Sequence, residues 1–295
     1  MDTNTDARGP VDRLVIVGAG VMGTGIAAMV LGQGLPVVLV DQDATVLGTA
    51  ADRVHRQIRH GNLLGAFSEP TDPTGPGDLV LTQDLEAVSG ASAVIEAIVE
   101  EAAAKTKLLT ELSDRVPPGT PLITNTSGIP VDELADSTAR PEDVIGTHFM
   151  NPAYLIGMVE TVRGPRTSQV TLERVSELLG RLGRRVMVVQ DSPGFVTSRL
   201  LHPLINDAAR LVAAGTAPVE AVDQLMQGCL GHPTGPLRTA DLIGIDNLVD
   251  ALGVLAARTG NPHYRPCELL VEMARAGRLG RKSGSGFYEY GEVAL

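Results

Sequence analysis

Leu14-Val15-Ile16-Val17-Gly18-Ala19-Gly20-Val21-Met22-Gly23 is followed by a second apolar run, Val37-Val38-Leu39-Val40, that closes on an acid, Asp41. The order reads as strand, glycine turn, helix and second strand, the helix opening on small residues (Thr24, Gly25, Ala27, Ala28). Gly18 permits the tight turn, Gly20 lets backbone amides approach a pyrophosphate, and Gly23 lets the helix pack closely on the sheet. The helix start at Val21 and Met22 offers unpaired N–H groups and a partial positive charge to phosphates. Asp41, eighteen residues after Gly23, is placed to accept hydrogen bonds from an adenosine ribose. A phosphate on that ribose would meet its negative charge, so the expected cofactor is NAD rather than NADP. A glycine turn by itself says little. The strand before it, the helix after it and the acid at this distance make the reading specific.

The rest of the composition narrows the class. A chain of 295 residues, 43% hydrophobic, suits one large or two ordinary domains. It has no apolar run of membrane-spanning length, so no membrane partner is expected. Met1 to Pro10 is polar and lacks the basic start and apolar stretch of a signal peptide. Residues 1–11 are therefore expected to be a disordered tail, and the chain cytoplasmic. Two cysteines, Cys229 and Cys267, are too few for a disulfide framework or a thiolate metal site; both are expected as buried packing residues, and no metal is expected. A net charge of -11, no Trp and 3% aromatics exclude nucleic acid as the natural partner. Three of the 24 basic residues are Lys: Lys105, Lys107 and Lys282.

Apolar runs alternate with helical patterns through the first two-thirds, which predicts a largely parallel sheet covered on both faces. Strands are expected near 13–18, 36–41, 79–82, 92–96, 121–125, 143–148, 156–162 and 185–190, with helices over 21–34, 43–64, 101–115 and 168–182. Residues 69–78 are too rich in Pro and Gly for either. After Gln190 the pattern turns helical, over 194–215, 218–229, 238–257 and 265–276, and Asp191-Ser192-Pro193-Gly194 reads as a linker. The expected fold is α/β: a doubly wound, Rossmann-type NAD-binding domain over 12–190, then a smaller all-α domain over 191–295.

A second informative stretch is Gly146-Thr147-His148-Phe149-Met150-Asn151-Pro152, ending an expected strand, with Glu160 twelve residues after His148 in the next. Carboxyl ends of strands in an open α/β sheet face the ligand crevice. An imidazole held by a carboxylate is a general base for a hydroxyl. On spacing alone that reading stands level with a bland one, a packed strand-end His and an unrelated surface Glu.

With the glycine turn, His148-Phe149-x-Asn151-Pro152 and Glu160 resemble the L-3-hydroxyacyl-CoA dehydrogenase family. Val94-Ile95-Glu96-Ala97-Ile98-Val99-Glu100 with Lys105, Thr124-Asn125-Thr126-Ser127, Asp191-Ser192-Pro193-Gly194-Phe195 and Lys282-Ser283-Gly284-Ser285-Gly286-Phe287-Tyr288 match further family segments in order, over about 12–290. The resemblance implies NAD-linked interconversion of a 3-hydroxyacyl thioester and its 3-oxoacyl thioester. It casts His148 as general base, Glu160 as its orienting partner and Ser127 as a hydrogen-bonding partner of the substrate hydroxyl, or of the carbonyl oxygen after oxidation. Asn151 supports the loop or the nicotinamide side. Glu100, Lys105 and Asn125 join Gly18, Gly20, Val21, Met22, Gly23 and Asp41 around the cofactor. Bland alternatives stay open: Ser127 as a turn cap, Asn151 as the fixer of the Asn-Pro bend, Glu100 and Lys105 as an exposed helix pair. The helical domain is implied to be the interface of a homodimer, although Leu200-Leu201, Leu204-Ile205 and Leu269-Leu270-Val271 fit a monomer's core equally well.

Three departures lie at the substrate end. Ser198 stands before Arg199 where the family has an Asn that contacts substrate. Ile156-Gly157-Met158 lacks the lysine common just before Glu160. Relatives carry lysines near the CoA phosphates on the helical hairpin after the second strand; here those lysine positions are not kept, and Arg53, Arg56 and Arg59 lie along one helix face instead. The stripe is either an ordinary solvated face or a sign that the acyl carrier is an acyl carrier protein, whose acidic surface suits arginines. Two competing functions remain: oxidation of a free hydroxy acid or sugar acid within the same superfamily, and a non-catalytic NAD-binding protein.

Overall fold

The structure, a computed structural model, describes residues 13–67 and 79–291. The expected tail over 1–11 and the Pro/Gly-rich loop over 69–78 lie outside the described residues.

Eight strands form one sheet in the order β3-β2-β1-β4-β5-β6-β7-β8. They are β1 (Leu14–Val17), β2 (Val37–Val40), β3 (Leu79–Thr82), β4 (Ala93–Glu96), β5 (Leu122–Thr124), β6 (Val144–His148), β7 (Met158–Arg163) and β8 (Arg185–Gln190). β1 to β6 run parallel, β7 is antiparallel to β6, and β8 is parallel to β7. Every residue of β1, β2 and β4 is buried, as a sheet covered on both faces requires. The strand order reverses between β1 and β4, which opens a crevice at their carboxyl ends.

The covering helices are α1 (Val21–Gly32), α2 (Ala44–Leu63), α3 (Ala102–Arg115), α4 (Val131–Ala135) and α5 (Gln169–Arg181). α1 is buried from Gly23 to Gly32, because apolar and small residues surround its whole circumference. Its Ile26, Met29 and Val30 share one core with Val54 and Ile58 of α2 and with Val175 and Leu178 of α5. Gly23 is what lets α1 close on the sheet: a Cβ there would run into the carbonyl oxygen of Gly18. α2 begins where the Asp43 side chain accepts from the Thr45 and Val46 N–H groups, an N-cap that pulls the Asp43 carboxyl below the usual carboxylate range.

The chain divides into two compact units, up to Asp191 and from Ser192. The second comprises α6 (Thr197–Ala213), α7 (Val219–Leu230), α8 (Pro236–Ile243), α9 (Ile245–Thr259) and α10 (Glu268–Arg275) around Ile205, Leu237, Leu248, Leu252 and Leu270. The sequence predicts one helix over 238–257, whereas the structure has two. Gly244, at φ +97°, lies outside the helical region and breaks the run. The first helix also starts later than expected, because Gly194 and Phe195 both have positive φ. The cysteine expectation is corrected: Cys229, in the last turn of α7, is exposed, and Cys267 is half-buried as the N-cap residue of α10. Past α10 the Gly-Phe-Tyr segment is tied down by acids. Asp241 accepts from the Phe287 and Tyr288 N–H groups, and Asp223 accepts from the Tyr288 hydroxyl. Among the described residues no helix is long and apolar enough to cross a membrane.

Candidate active site

His148 ends β6, and the antiparallel register sets it directly opposite Glu160 on β7. Opposed residues of such a pair share one face of the sheet, and the His148 Nδ1 lies 3.2 Å from the Glu160 Oε2. Both side chains are buried, so the picture of an unrelated surface Glu is removed.

The end of β5 closes on the same strand end. Asn125 donates its N–H to the Glu96 carbonyl, and its Oδ1 accepts from the Phe149 N–H at 3.0 Å, which fixes the residue after His148. Ser127 donates both its N–H and its Oγ–H to the Glu100 Oε1, at 2.7 and 3.1 Å, and the Thr126 hydroxyl donates to the same oxygen. The other Glu100 oxygen lies 3.3 Å from the Lys105 Nζ. Lys105 is no exposed helix residue: it is 1% exposed, and its Nζ sits 2.6 Å from Oε1 of a fully buried Glu96. Glu96 also accepts from the Ile98 N–H and the Thr124 hydroxyl. The sequence places Glu96 in a matching segment without giving it a role of its own. The available signal was an acid ending an otherwise apolar, fully buried strand.

Asn151 is exposed in the turn after Phe149, joined to Pro152 by a cis peptide. Ser198 belongs to the second unit, buried in the first turn of α6.

At the other end of the crevice, Gly18 turns at φ +106°, with its N–H on the Val40 carbonyl. Gly20 precedes α1, whose start has no side-chain cap, and a Cβ at Gly20 would find no atom within 4 Å. Val21 stands 62% exposed beside it, and Met22 is partly buried. Open space in front of unpaired helix N–H groups is what a diphosphate needs. The Asp41 carboxylate accepts from the Ala19 N–H at 2.7 Å and the Asp43 N–H at 2.9 Å. It borders the glycine turn directly after β2. The arginine stripe is not uniform: Arg56 and Arg59 are exposed, but Arg53 folds inward and donates to the carbonyls of Ala19 and Val46. These residues fit a dinucleotide.

Two family models match the chain: the NAD binding domain of 3-hydroxyacyl-CoA dehydrogenase over residues 13–192, and the C-terminal domain of 3-hydroxyacyl-CoA dehydrogenase over 194–290. The chain belongs to the 3-hydroxyacyl-CoA dehydrogenase family. It is an NAD-dependent oxidoreductase that acts on a CH–OH group. Among its relatives, a probable 3-hydroxybutyryl-CoA dehydrogenase of Bacillus subtilis is 39% identical over 282 residues, 96% of this chain and 98% of that one. FadB2 of Mycobacterium tuberculosis superposes with a TM-score of 0.90 at 37% identity, covering 96% of this chain and all of the other. The (S)-3-hydroxybutyryl-CoA dehydrogenase of Ralstonia eutropha superposes with a TM-score of 0.86 at 35% identity, over 96% of this chain and 100% of that one.

Proposed function

We propose that this member of the family interconverts a short 3-hydroxyacyl thioester and its 3-oxoacyl thioester, with CoA as carrier, in the cytoplasm. The observation that carries the chemistry is the buried, directly opposed His148–Glu160 pair at the crevice end of the sheet. Relatives named 3-hydroxybutyryl-CoA dehydrogenase support the acyl class. When bound, NAD supplies the hydride acceptor for C3. His148 takes the hydroxyl proton in oxidation and returns it in reduction. With Nδ1–H given to Glu160, Nε2 is the nitrogen that exchanges that proton, and the carboxylate stabilises the imidazolium that forms. The Ser127 N–H keeps the residue on Glu100, and its hydroxyl rotates away from that carboxylate to hydrogen-bond the substrate oxygen. Asn125 holds the strand end in register, and Asn151 shapes the loop beside it. Lys105, anchored by Glu96, keeps Glu100 at the nicotinamide side. Ser198 donates one hydrogen bond where the family's Asn donates and accepts. The helical unit serves as the interface of a homodimer.

A second reading of the carrier rests on the end of α2. Arg56 and Arg59 are exposed there, and Leu63 and Leu64 stand 84% and 59% exposed just beyond them. A basic and apolar surface of this kind suits the acidic face of an acyl carrier protein. The test is NADH formation from one 3-hydroxybutyryl group on CoA, on carrier protein and as the free acid. A preference for CoA of at least tenfold supports the main reading. Preference for carrier protein selects the second, and turnover of the free acid alone overturns both.

A further inference from the structure

Arg53 is the arginine of α2 that turns inward. Its side chain runs back toward the start of its own helix, the direction helical side chains favour. The Nη2 donates to the Val46 carbonyl at 3.1 Å and, across to the glycine turn, to the Ala19 carbonyl at 3.0 Å. The Nε is buried without a hydrogen-bond partner, and among the described residues no carboxylate pairs with the guanidinium. A half-buried cation therefore stands against the dinucleotide turn with its charge unmatched.

The Ala19 carbonyl shares a planar peptide with the Gly20 N–H, and in a trans peptide the two point in opposite directions. Holding that carbonyl toward α2 therefore turns the Gly20 N–H away from α2. Gly20 faces open space, and its N–H donates to no described residue. The preceding N–H, that of Ala19, is already taken by Asp41. Arg53 and Asp41 thus grip neighbouring peptides of one turn from two sides.

We propose that Arg53 is a positioning residue for the dinucleotide. It fixes the Ala19–Gly20 peptide so that the Gly20 N–H addresses the diphosphate, and it supplies the positive charge that offsets those phosphates next to Asp41. The inference rests on the dinucleotide reading of the turn and on no property of the acyl substrate. It separates Arg53 from Arg56 and Arg59, whose exposed heads belong to the surface.

The test is calorimetric binding of NADH and of ADP-ribose to Arg53→Met, Arg53→Lys and Arg53→Gln at low and high salt, with melting temperatures measured alongside. One lost charge-assisted contact corresponds to roughly a tenfold rise in Kd for both ligands. Arg53→Met is expected to show that rise and a weaker salt dependence than the parent. Arg53→Lys keeps the charge and recovers part of the affinity together with the parent's salt dependence. Arg53→Gln keeps a donor for the Ala19 carbonyl, so it remains folded should the Met variant not. It loses the salt-dependent part of binding. NADH affinity within twofold of the parent in Arg53→Gln and Arg53→Met overturns the proposal. So does a loss of affinity that tracks melting temperature while salt dependence stays unchanged, since that marks a purely structural residue.

Discussion

Lys105 and Glu96 form a buried ion pair: Nζ lies 2.6 Å from Oε1, and the side chains are 1% and 0% exposed. Such a pair gains little over apolar packing, but breaking it strands a charge in a medium that solvates it poorly. The two halves are not equivalent. Without Lys105, Glu96 keeps the Ile98 N–H and the Thr124 hydroxyl as donors. Without Glu96, Lys105 keeps the more distant and partly exposed Glu100. Glu96→Gln should therefore cost about 3–5 kcal/mol, and Lys105→Met clearly less, in denaturant unfolding. Equal losses would show that the remaining donors do not hold the carboxylate.

The opposed His148 and Glu160 predict a split between binding and turnover. His148→Ala should bind NADH within twofold of the parent while turnover falls by roughly 10²–10⁴-fold, the usual worth of a general base. Glu160→Gln retains an acceptor for Nδ1–H and loses the charge, so its turnover should fall less. Stopped-flow absorbance of NADH and equilibrium binding read the two quantities separately. NADH binding lost along with turnover in His148→Ala would assign the imidazole a structural role.

Asp41 has two tasks, and two substitutions separate them. Its carboxylate accepts from the Ala19 N–H, and under the proposed cofactor assignment its charge would repel a ribose phosphate. Asp41→Asn retains an acceptor for that N–H, so it should narrow the preference for NAD over NADP with a small change in NAD affinity. Asp41→Ala should narrow the preference and weaken NAD as well, because the turn loses its support. Initial rates with both cofactors check this, and an unchanged preference in both variants removes the ribose assignment.

The Asp43 cap of α2 carries a pH signature. Its folded pKa lies below the usual carboxylate range, lowered by the Thr45 and Val46 N–H groups. A depressed carboxylate contributes stability that is present above the unfolded pKa and lost as pH falls through the folded one. Asp43→Ala should thus melt below the parent at neutral pH, with the gap closing as pH is lowered through and past the usual carboxylate range. Asp43→Asn, still a good cap, should show a smaller gap at neutral pH and less change with pH. Melting curves from pH 3 to pH 7 follow it; a gap that widens toward acid contradicts the capping role.

What was legible in the sequence was local. The glycine turn, the acid after β2 and the apolar runs are written in consecutive residues, and the strands fall where the runs predict. The meeting of His148 with Glu160 was partly legible, since a hairpin of antiparallel strands brings residues twelve apart face to face. Spacing groups Arg53 with Arg56 and Arg59, because it shows a helix face and not that face's neighbour. Only the approach of the glycine turn, 34 residues earlier, draws Arg53 inward. The role of Glu96 is hidden for the same reason, because its partners Thr124 and Lys105 come from other elements. Gly244 was hidden by a continuous apolar pattern that tolerated a glycine. Cys229 followed residue-type preference, but its position in the last turn of α7 faces outward.

Gly20 and Gly23 offer the sharpest contrast, because both belong to one motif and only one is confined by protein. A Cβ at Gly23 would overlap the Gly18 carbonyl oxygen, whereas a Cβ at Gly20 meets nothing within 4 Å. Gly20 also has φ -71°, which any residue adopts. Gly23→Ala must therefore push α1 off the sheet, and should lower both the melting temperature and NADH affinity. Gly20→Ala should melt within a degree or two of the parent, since a compatible Gly→Ala change is worth roughly 0.4–1 kcal/mol in favour of folding. Yet its methyl group would project into the space the diphosphate fills, so NADH affinity should drop by about tenfold or more, as one steric overpacking of 1–3 kcal/mol implies. Melting scans with and without NADH read both effects in one experiment. If Gly20→Ala binds NADH as the parent does, the diphosphate lies elsewhere than in front of the α1 N-terminus.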